Sequence, residues 1–299
     1  NTHERKRFFE TLANTVSLGD CDELTVECNP DSLDPAKIAL LQSFGVSRIS
    51  LGIQTFVPEY RRLLQRHGDC ENTPELIACC QANGINNLNA DLIYGIPGQT
   101  LDSWERDLDS ALTLGINHLS TYALTYEEGA ALDPQQTASA SDDLAAAMWD
   151  MAQKKAEQFG LSRYEVSNLA VPGSECQHNL GVWHGEPYLG CGPAASSFDG
   201  RIRWTNRPDM NAWIAGKPPE KDTLSRKERA IEVFVFGLRT VPGWQRSVFR
   251  ERTGADYMKL RGDVLHTLAA ENFLVLSSDF VRPTRKGLLF ADYVAAELL

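Results

Sequence analysis

The sequence predicts an α/β protein built on a parallel sheet, followed by a smaller α+β region. The main observation is a short pattern that occurs four times, each time after an amphipathic helix and before a β-rich run. Each copy has a helix-ending Gly, an aliphatic residue, Ser or Asn, a spacer and a strand-opening residue. The copies lie at 45–49, 84–88, 115–119 and 160–164. A left-handed Gly followed by an apolar residue that packs on the last helical turn explains this pattern.

The elements follow one another in the order expected of a βα array. A helix over 3–16 carries Phe8, Leu12 and Val16 on one face, and 23–27 is the first strand. Asp34 and Pro35 form a good helix start, because an acid suits the N-cap and Pro suits the first turn. Later strands are expected at 49–53, 88–93, 119–124 and 164–166. Four joints plus the strand before the first therefore predict a parallel sheet.

One strand, 89–93, carries an acid in an otherwise apolar run, and a turn with Gly95, Pro97 and Gly98 follows it. A buried, unpaired carboxylate is costly, so Asp91 needs a partner in the protein or a ligand at the strand end. The helix that begins near Leu101 then buries a face at spacings of three and four.

Polar residues lie at the carboxyl ends of the predicted strands. They are Glu27, Gln54, Asp91, Tyr122, Thr125 and Asn168. In parallel barrels and open α/β sheets, ligands bind at this face. Each residue alone could equally cap a neighbouring loop, but the set favours a binding face. Its chemistry suits a polar, partly cationic small molecule, with carboxylates for an amine and for ribose hydroxyls.

Composition limits the classes of partner. The chain has 299 residues and a formal net charge of −11, which argues against binding to nucleic-acid phosphates or anionic lipid. No apolar run approaches the roughly 20 residues of a membrane helix, and the N-terminus does not resemble a signal peptide. The seven cysteines contain no C-x-x-C and are expected to be free thiols. We therefore expect a soluble, cytoplasmic protein without a nucleic-acid partner or a membrane span.

The pattern changes after Asn168, so three domains are predicted: 1–170, 171–223 and 224–299. Ser225 and Glu228 form a capping box before a helix in the last domain. A helix over 257–271, strands at 273–276 and 280–282 and a helix over 284–298 follow. This order is winged-helix-like. Because the segment lacks a dense basic face, an interaction role is favoured over DNA binding.

Several segments resemble a known family. Residues 26–30 (VECNP), 49–56 (ISLGIQTF), 65–67 (QRH) and 91–100 (DLIYGIPGQT) are similar to radical S-adenosylmethionine (radical SAM) proteins related to oxygen-independent coproporphyrinogen III oxidase. Residues 164–168 (YEVSN), His178-Asn179 with Trp183, and 282–289 (RPTRKGLL) resemble the haem-chaperone branch, often called HemW. The likeness covers essentially the whole chain. It implies a partial (βα) barrel of the radical SAM type, followed by a small C-terminal domain.

The resemblance also implies a cofactor site. Glu27, Gln54, Arg66 and Asp91 match family positions that hold S-adenosylmethionine. Glu27 and Asp91 suit ribose hydroxyls or the ammonium group, and Arg66 suits the methionine carboxylate because its planar fork matches that geometry. For Arg66 a helix-end salt bridge is the alternative.

A second implied site concerns haem. The branch carries His-Asn-x-x-Tyr-Trp, and here residues 178–183 read HNLGVW, with Val182 in place of Tyr. His178 is the expected axial ligand of the haem iron, with Asn179 and Trp183 beside it. The alternative is a His packed in a loop. Ser196 stands where the branch commonly has a His.

Family members also carry Cys-x-x-x-Cys-x-x-Cys, which holds a [4Fe-4S] cluster, and a Gly-Gly-Gly-Thr-Pro run. Neither occurs in this sequence, which starts at Asn1. We expect both to belong upstream of His3, so that the first two βα units are missing. The cluster is then not expected in this chain. We do expect an exposed sheet edge where the missing strands would pair. Whether the chain is a natural truncation or a fragment stays open.

The resemblance implies a haem chaperone that binds S-adenosylmethionine, a [4Fe-4S] cluster and haem, and passes haem to an acceptor protein. One alternative is a coproporphyrinogen III oxidase, which decarboxylates its substrate oxidatively to protoporphyrinogen IX. The other is a truncated, non-catalytic module that binds haem or protein. Whether the chain is an enzyme stays open, because radical chemistry needs the cysteine motif.

Overall fold

The computed structural model describes residues 2–66, 68, 70–126 and 140–299. Those residues form two compact units, which are treated separately. The barrel unit comprises Asn1–Arg163 and Ser167–Glu175, and the C-terminal unit comprises Tyr164–Val166 and Cys176–Leu299. His67, the last residue of the 65–67 segment, lies outside the described residues. The three predicted domain limits stay a prediction.

The barrel unit is a six-stranded sheet with helices, in the strand order β1-β2-β3-β4-β6-β5. The strands are β1 Thr25–Cys28, β2 Arg48–Gln54, β3 Asn87–Tyr94, β4 His118–Ala123, β5 Ser162–Arg163 and β6 Asn168–Ala170. The helices are α1 Thr2–Ala13, α2 Pro35–Ser43, α3 Pro58–Leu63, α4 Thr73–Ala82, α5 Leu101–Leu112 and α6 Asp142–Glu157. β1 to β4 are parallel neighbours, which confirms the predicted parallel α/β sheet.

The repeated helix-to-strand joint has the expected geometry. Gly45, Gly84 and Gly115 have φ of +81°, +81° and +77°, and each precedes a parallel strand. The amides of Val46 and Ile85 donate to carbonyls five residues earlier, on Leu41 and Cys80. This is the bond that closes a helix through a left-handed residue. The joint therefore sets the length of each helix and the start of each strand.

The fourth joint corrects the predicted topology. Gly160 again has φ +81°, but the strand after it is only Ser162–Arg163, and β6 separates it from β4. β6 is antiparallel to both of these neighbours. The segment Tyr164–Val166, predicted as the fifth strand, instead bonds within the C-terminal unit: Val166 N donates to Arg239 O, and Val241 N donates to Tyr164 O. The parallel sheet therefore has four strands and an antiparallel edge.

Side chains alternate between the two faces of the central strands, as the pleat requires. The apolar residues Ile49, Leu51 and Ile53 of β2 are fully buried, as are Leu88, Ala90 and Leu92 of β3. The polar residues between them, Ser50, Asn89 and Asp91, therefore share the opposite face. The sheet separates an apolar core from a polar interior that can hold a ligand.

The C-terminal unit combines seven helices and two small antiparallel sheets among its described residues. Its helices are α7 Gln177–Trp183, α8 Met210–Ile214, α9 Arg226–Gly237, α10 Arg246–Thr253, α11 Tyr257–Ala270, α12 Arg285–Leu289 and α13 Ala291–Leu298. Its strands are β7 Ser196–Phe198, β8 Arg203–Thr205, β9 Glu220–Lys221, β10 Trp244–Gln245, β11 Leu274–Leu276 and β12 Phe280–Pro283. The sheet orders are β7-β8-β9 and β10-β12-β11. The winged-helix-like order is present, with the last helix interrupted at Phe290.

The core of this unit is an aromatic cluster. Phe234 stacks on Tyr257 with ring centroids 5.1 Å apart and meets the edge of Phe249 at 5.4 Å. Trp244 Nε1 donates to Phe234 O at 3.0 Å. A Cβ at Gly237 would lie 2.0 Å from that Nε1, so this helical position requires Gly. Large rings with one satisfied polar atom give the unit a single packing arrangement.

We predict that Asp256→Asn lowers the free energy of unfolding by about 2 kcal/mol at pH 7. The buried Asp256 carboxylate accepts from Arg246 at 2.9 Å, from Arg250 and from Met258 N at 3.1 Å. These bonds hold the pKa of Asp256 well below its ordinary range, and the bond from Arg246 has the largest effect. A carboxylate with a lowered folded pKa stabilises the fold above about pH 4 and loses that contribution as the pH falls.

The measurement is urea unfolding at pH 7, 5 and 3.5. The difference between wild type and Asp256→Asn should shrink below about pH 4, whereas Asp263→Asn, an exposed change on α11, should leave stability nearly unaltered. A difference that is constant with pH would contradict the assignment.

Candidate functional site

The polar face of the central strands is organised around the side chain of Asn89 on β3. Its Nδ2 donates to Ser50 Oγ at 2.7 Å and to Asp91 Oδ1 at 2.8 Å. Its Oδ1 accepts from Ser120 Oγ at 3.2 Å and lies 2.6 Å from His118 Nδ1. The amide therefore uses both donors and both lone pairs, the full capacity of an Asn side chain.

Asp91, the acid that the sequence left unexplained, is held by neutral donors. Its Oδ1 accepts from Asn89 and its Oδ2 accepts from Ser50 Oγ at 2.9 Å. Asp91 is half-buried, and it has no cationic partner within salt-bridge distance among the described residues. Its negative charge is therefore oriented but not neutralised, which suits a cationic or hydroxyl-bearing ligand.

His118 closes the network in its neutral form. Its side chain is completely buried, and burial, with the nearby Arg48 guanidinium, lowers its pKa to about 3. A neutral imidazole beside the amide oxygen of Asn89 must donate from Nδ1, which assigns the tautomer from the hydrogen-bond network. His118 is thus a buried positioning group and not an exposed acid or base.

Gln54 and Arg66 meet around Gly52 and Asn29. Gln54 ends β2 with φ +70°, where the β2–β3 register shifts. A Cβ at Gly52 would lie 3.1 Å from Gln54 Nε2 and 3.4 Å from Asn29 Oδ1. Arg66 Nη1 donates to that Oδ1 at 2.8 Å. In the described part of the chain Arg66 has no carboxylate partner, so the helix-end salt bridge is not formed.

Asn29 is the functional candidate that the sequence analysis missed. It follows β1 directly and lines a cavity of about 260 Å³ with Gly52, Gln65 and Arg66. The signal was available, because Asn before Pro at the carboxyl end of a strand places an amide at the ligand face.

The segment that carries Gln54 and Arg66 is fixed by two buried side chains. Arg61 donates to Ile53 O, Thr55 O and Gly68 O at 2.8, 3.2 and 3.1 Å. Asp107 of α5 accepts from Phe56 N and Thr55 Oγ1, each at 2.7 Å. The loop after β2 is therefore tied to the sheet and to α5, which holds the ligand face in place.

Glu27 stands two strands away from Asp91. It is exposed on β1 and pairs in register with Ser50, which in turn pairs with Asn89. Neighbouring strands are about 4.8 Å apart, so the carboxylates of Glu27 and Asp91 flank β2. Of the other predicted polar residues, Asn168 lies on β6 opposite Ser120, and its buried Oδ1 has no hydrogen-bond partner in the described part of the chain. Tyr122 is exposed.

The polar groups of this face are chemically suited to S-adenosylmethionine. Two carboxylates, an amide whose buried oxygen has no partner among the described residues, and a half-buried guanidinium match an ammonium group, ribose hydroxyls and a carboxylate. The described residues do not fit an iron-sulfur cluster, since no group of three or more His, Cys, Asp or Glu side chains among them could hold a metal. Burial and the nearby Cys80 raise the pKa of the Cys28 thiol to about 12, so that thiol stays protonated.

The haem-motif residues lie on α7, a helix and not a loop. His178 is exposed, whereas Asn179 and Trp183 are half-buried. Trp183 meets the edge of Phe236 with ring centroids 6.1 Å apart, and the Arg239 guanidinium carbon lies 5.1 Å from its ring. Residues four apart share a helix face, so Asn179 lies with Trp183, and His178 lies with Val182. His178 is therefore not packed into the protein as the alternative required.

Comparisons with known proteins identify the family and the fold. Residues 6–111 match the radical SAM superfamily, and residues 224–290 match the HemN C-terminal domain. The solved structure of coproporphyrinogen III oxidase (HemN) from Escherichia coli, a radical SAM enzyme, superposes with a TM-score of 0.82. It is 20% identical and covers 100% of this chain and 74% of its own, which shows the shared fold. These matches define a radical SAM protein with a HemN-type C-terminal domain.

The relatives narrow that class. The heme chaperone HemW of Bacillus subtilis (strain 168) is 31% identical over 300 residues, covering 94% of this chain and 76% of that protein. HemW of Lactococcus lactis is 28% identical over 307 residues, covering 100% of this chain and 81% of that protein. HemW of Escherichia coli (strain K12) is 30% identical over 279 residues, covering 90% of this chain and 73% of that protein. The chain belongs to the HemW-like family of radical SAM proteins.

A search of the helices in the described ranges finds none that is both long and apolar enough to cross a bilayer.

We predict that His118→Gln makes the barrel unit less sensitive to acid. The folded pKa of about 3 lies below the ordinary 6.5, so below about pH 6.5 only the unfolded chain takes up this proton. Wild type then loses about 1.4 kcal/mol of stability per pH unit relative to the variant. Denaturant unfolding between pH 7 and 4 measures this difference.

The control is His266→Gln, an exposed change on α11 that should run parallel to wild type. Identical pH profiles for His118→Gln and wild type would refute a neutral, buried His118.

Proposed function

We propose that this chain binds haem through α7 and passes it to an acceptor protein, and that its barrel unit binds S-adenosylmethionine. The observation that carries the haem proposal is the exposed imidazole of His178 on a helix whose neighbouring face is anchored. A neutral imidazole is a common ligand to haem iron. The HemW relatives are named heme chaperones, which supports the same cargo.

The anchoring of α7 is what makes His178 suitable. Cys176 N, at the N-cap, donates to Tyr164 Oη at 3.3 Å, and Trp183 packs on Phe236 at the other end. The helix is therefore held at both ends while His178 stays in solvent. A ligand that is rigidly placed but exposed can bind a planar cofactor and release it, because no part of the protein must open first.

The barrel unit would contribute cofactor binding by charge complementarity. Glu27 and Asp91 would accept hydrogen bonds from the ammonium group and ribose hydroxyls, and Arg66 would pair with the carboxylate. Gln54 and Asn29 supply amide groups beside Arg66. When bound with a cluster, S-adenosylmethionine supplies radical chemistry in this superfamily; the residues described here would bind and orient it.

We predict that Arg66→Gln and Asp91→Asn each weaken S-adenosylmethionine binding by about tenfold, the size of one charge-assisted contact. Isothermal titration of the chain measures the affinity. Arg62→Gln removes a neighbouring exposed charge that pairs with Glu59 at 3.3 Å and should have no effect. Equal affinity of wild type and Arg66→Gln would reject the site.

We predict that His178→Ala abolishes the Soret shift that haem shows when an imidazole ligates its iron. The residue is exposed and makes no core contact, so circular dichroism of the variant should match wild type. His266→Ala, an exposed His of the same unit, is the matched control and should bind haem normally. An unchanged Soret band in His178→Ala would refute the ligand assignment.

A further inference from the structure

The C-terminal unit contains a cavity of about 660 Å³ that the proposed function does not use. It lies between the segment after α7, the turn of the β7–β8 hairpin, the start of α9 and the end of α10. The volume falls within the ~300–1,000 Å³ range of small-molecule sites. Four arginines line it: Arg201, Arg226, Arg229 and Arg252.

Two of these arginines are structural. Arg229 is buried, bonds to Asp222 and Glu232, and donates to Arg201 O at 3.0 Å. Arg252 pairs with Glu186 at 3.2 Å. The other two differ: Arg201 and Arg226 are exposed, and within the described ranges neither has a carboxylate at salt-bridge distance. Two guanidinium groups at the rim are thus available for an anion.

The charge at the start of α9 also indicates an anionic ligand. Its first turn contains three cations, Arg226, Lys227 and Arg229, against one acid, Glu228, at the end of the helix where the backbone dipole is already positive. Cations there are unfavourable by about 0.3–1 kcal/mol each. Asp222 and Glu232 compensate Arg229 and Glu228 caps the helix through Ser225, but Arg226 has no carboxylate at salt-bridge distance among the described residues. A bound carboxylate between Arg201 and Arg226 would offset this repulsion.

The floor of the cavity is apolar. Ile202, Leu224, Ala230 and Val233 line it. Gly185 lets the chain after α7 approach α9, because a Cβ there would lie 2.8 Å from Val233 Cγ1. An apolar floor under a cationic rim fits an amphiphilic ligand with a broad apolar body and carboxylates at one edge.

We propose that this cavity binds a porphyrin, with the propionates paired to Arg201 and Arg226 and the ring edge on the apolar floor. The proposal rests on the proposed haem binding and adds a carboxylate-recognition site to it. It assigns a role to two exposed arginines that the iron-ligand proposal leaves without one. No covalent step is involved.

The test uses iron-free mesoporphyrin IX and its dimethyl ester, titrated by fluorescence in the same detergent buffer. Wild type should bind the diacid at least about tenfold more tightly than the ester, as partly exposed charge-assisted contacts allow. Arg201→Gln/Arg226→Gln should bind both equally. Lys227→Gln is the matched control, because it removes a neighbouring exposed charge that does not line the cavity, and it should keep the wild-type preference.

The outcomes separate the two proposals. Equal binding of diacid and ester to wild type, no binding of the diacid, or equal losses in the double variant and Lys227→Gln would each overturn the cavity assignment. The Soret shift and its loss in His178→Ala are recorded with haem on the same samples. A normal Soret shift with no diacid preference would support the haem-ligand proposal and reject the cavity proposal. A diacid preference without a Soret shift would support the cavity proposal and reject the haem-ligand proposal.

Discussion

The barrel unit depends on the side-chain amide of Asn89, whose hydrogen-bonding groups are all used. Asn89 bonds to four side chains on strands β2, β3 and β4, and removing any one of them would leave one N–H or one lone pair of this buried amide unused. Because its partners include Asp91, the same amide that joins the strands also sets the carboxylate at the ligand face. The register of the strands and the position of the Asp91 carboxylate are therefore one constraint, and a slip of one residue would change both.

Arginines in this chain have two roles that burial distinguishes and sequence does not. Arg61 and Arg66 lie five residues apart, yet Arg61 is 4% exposed and bonds to carbonyls, whereas Arg66 is half-buried and donates to the side-chain oxygen of Asn29. Buried Arg229 and exposed Arg226 on α9 show a similar contrast. In each pair the buried arginine is bonded within the protein, and the more exposed one has no carboxylate at salt-bridge distance among the described residues.

Much of the barrel could be predicted because its signals are local. A Gly after an amphipathic helix and an apolar residue next to it fix the C-terminal turn, so the joints at Gly45, Gly84 and Gly115 are where the pattern indicated. Gly160 gives the same local signal, but the partner of Tyr164–Val166 is Arg239 to Val241. That choice depends on residues some seventy-five positions later, which no local pattern contains. The same limit applies to Asn29 and Arg66, whose contact joins two loops.

The α7 helix shows how a departure from a family pattern can be read physically. His178 and Val182 share a face, so the Val that replaces the family Tyr stands beside the imidazole and not beside the anchor Trp183. Val182 has no hydroxyl group, so the side chain beside the imidazole cannot form a hydrogen bond with it or with a ligand. Binding of haem would then depend more on contacts to its other groups, of which the propionates are charged. Arg201 and Arg226, both exposed in the same unit, are the proposed partners of the propionates, which is why the two proposals on this unit are tested on the same samples.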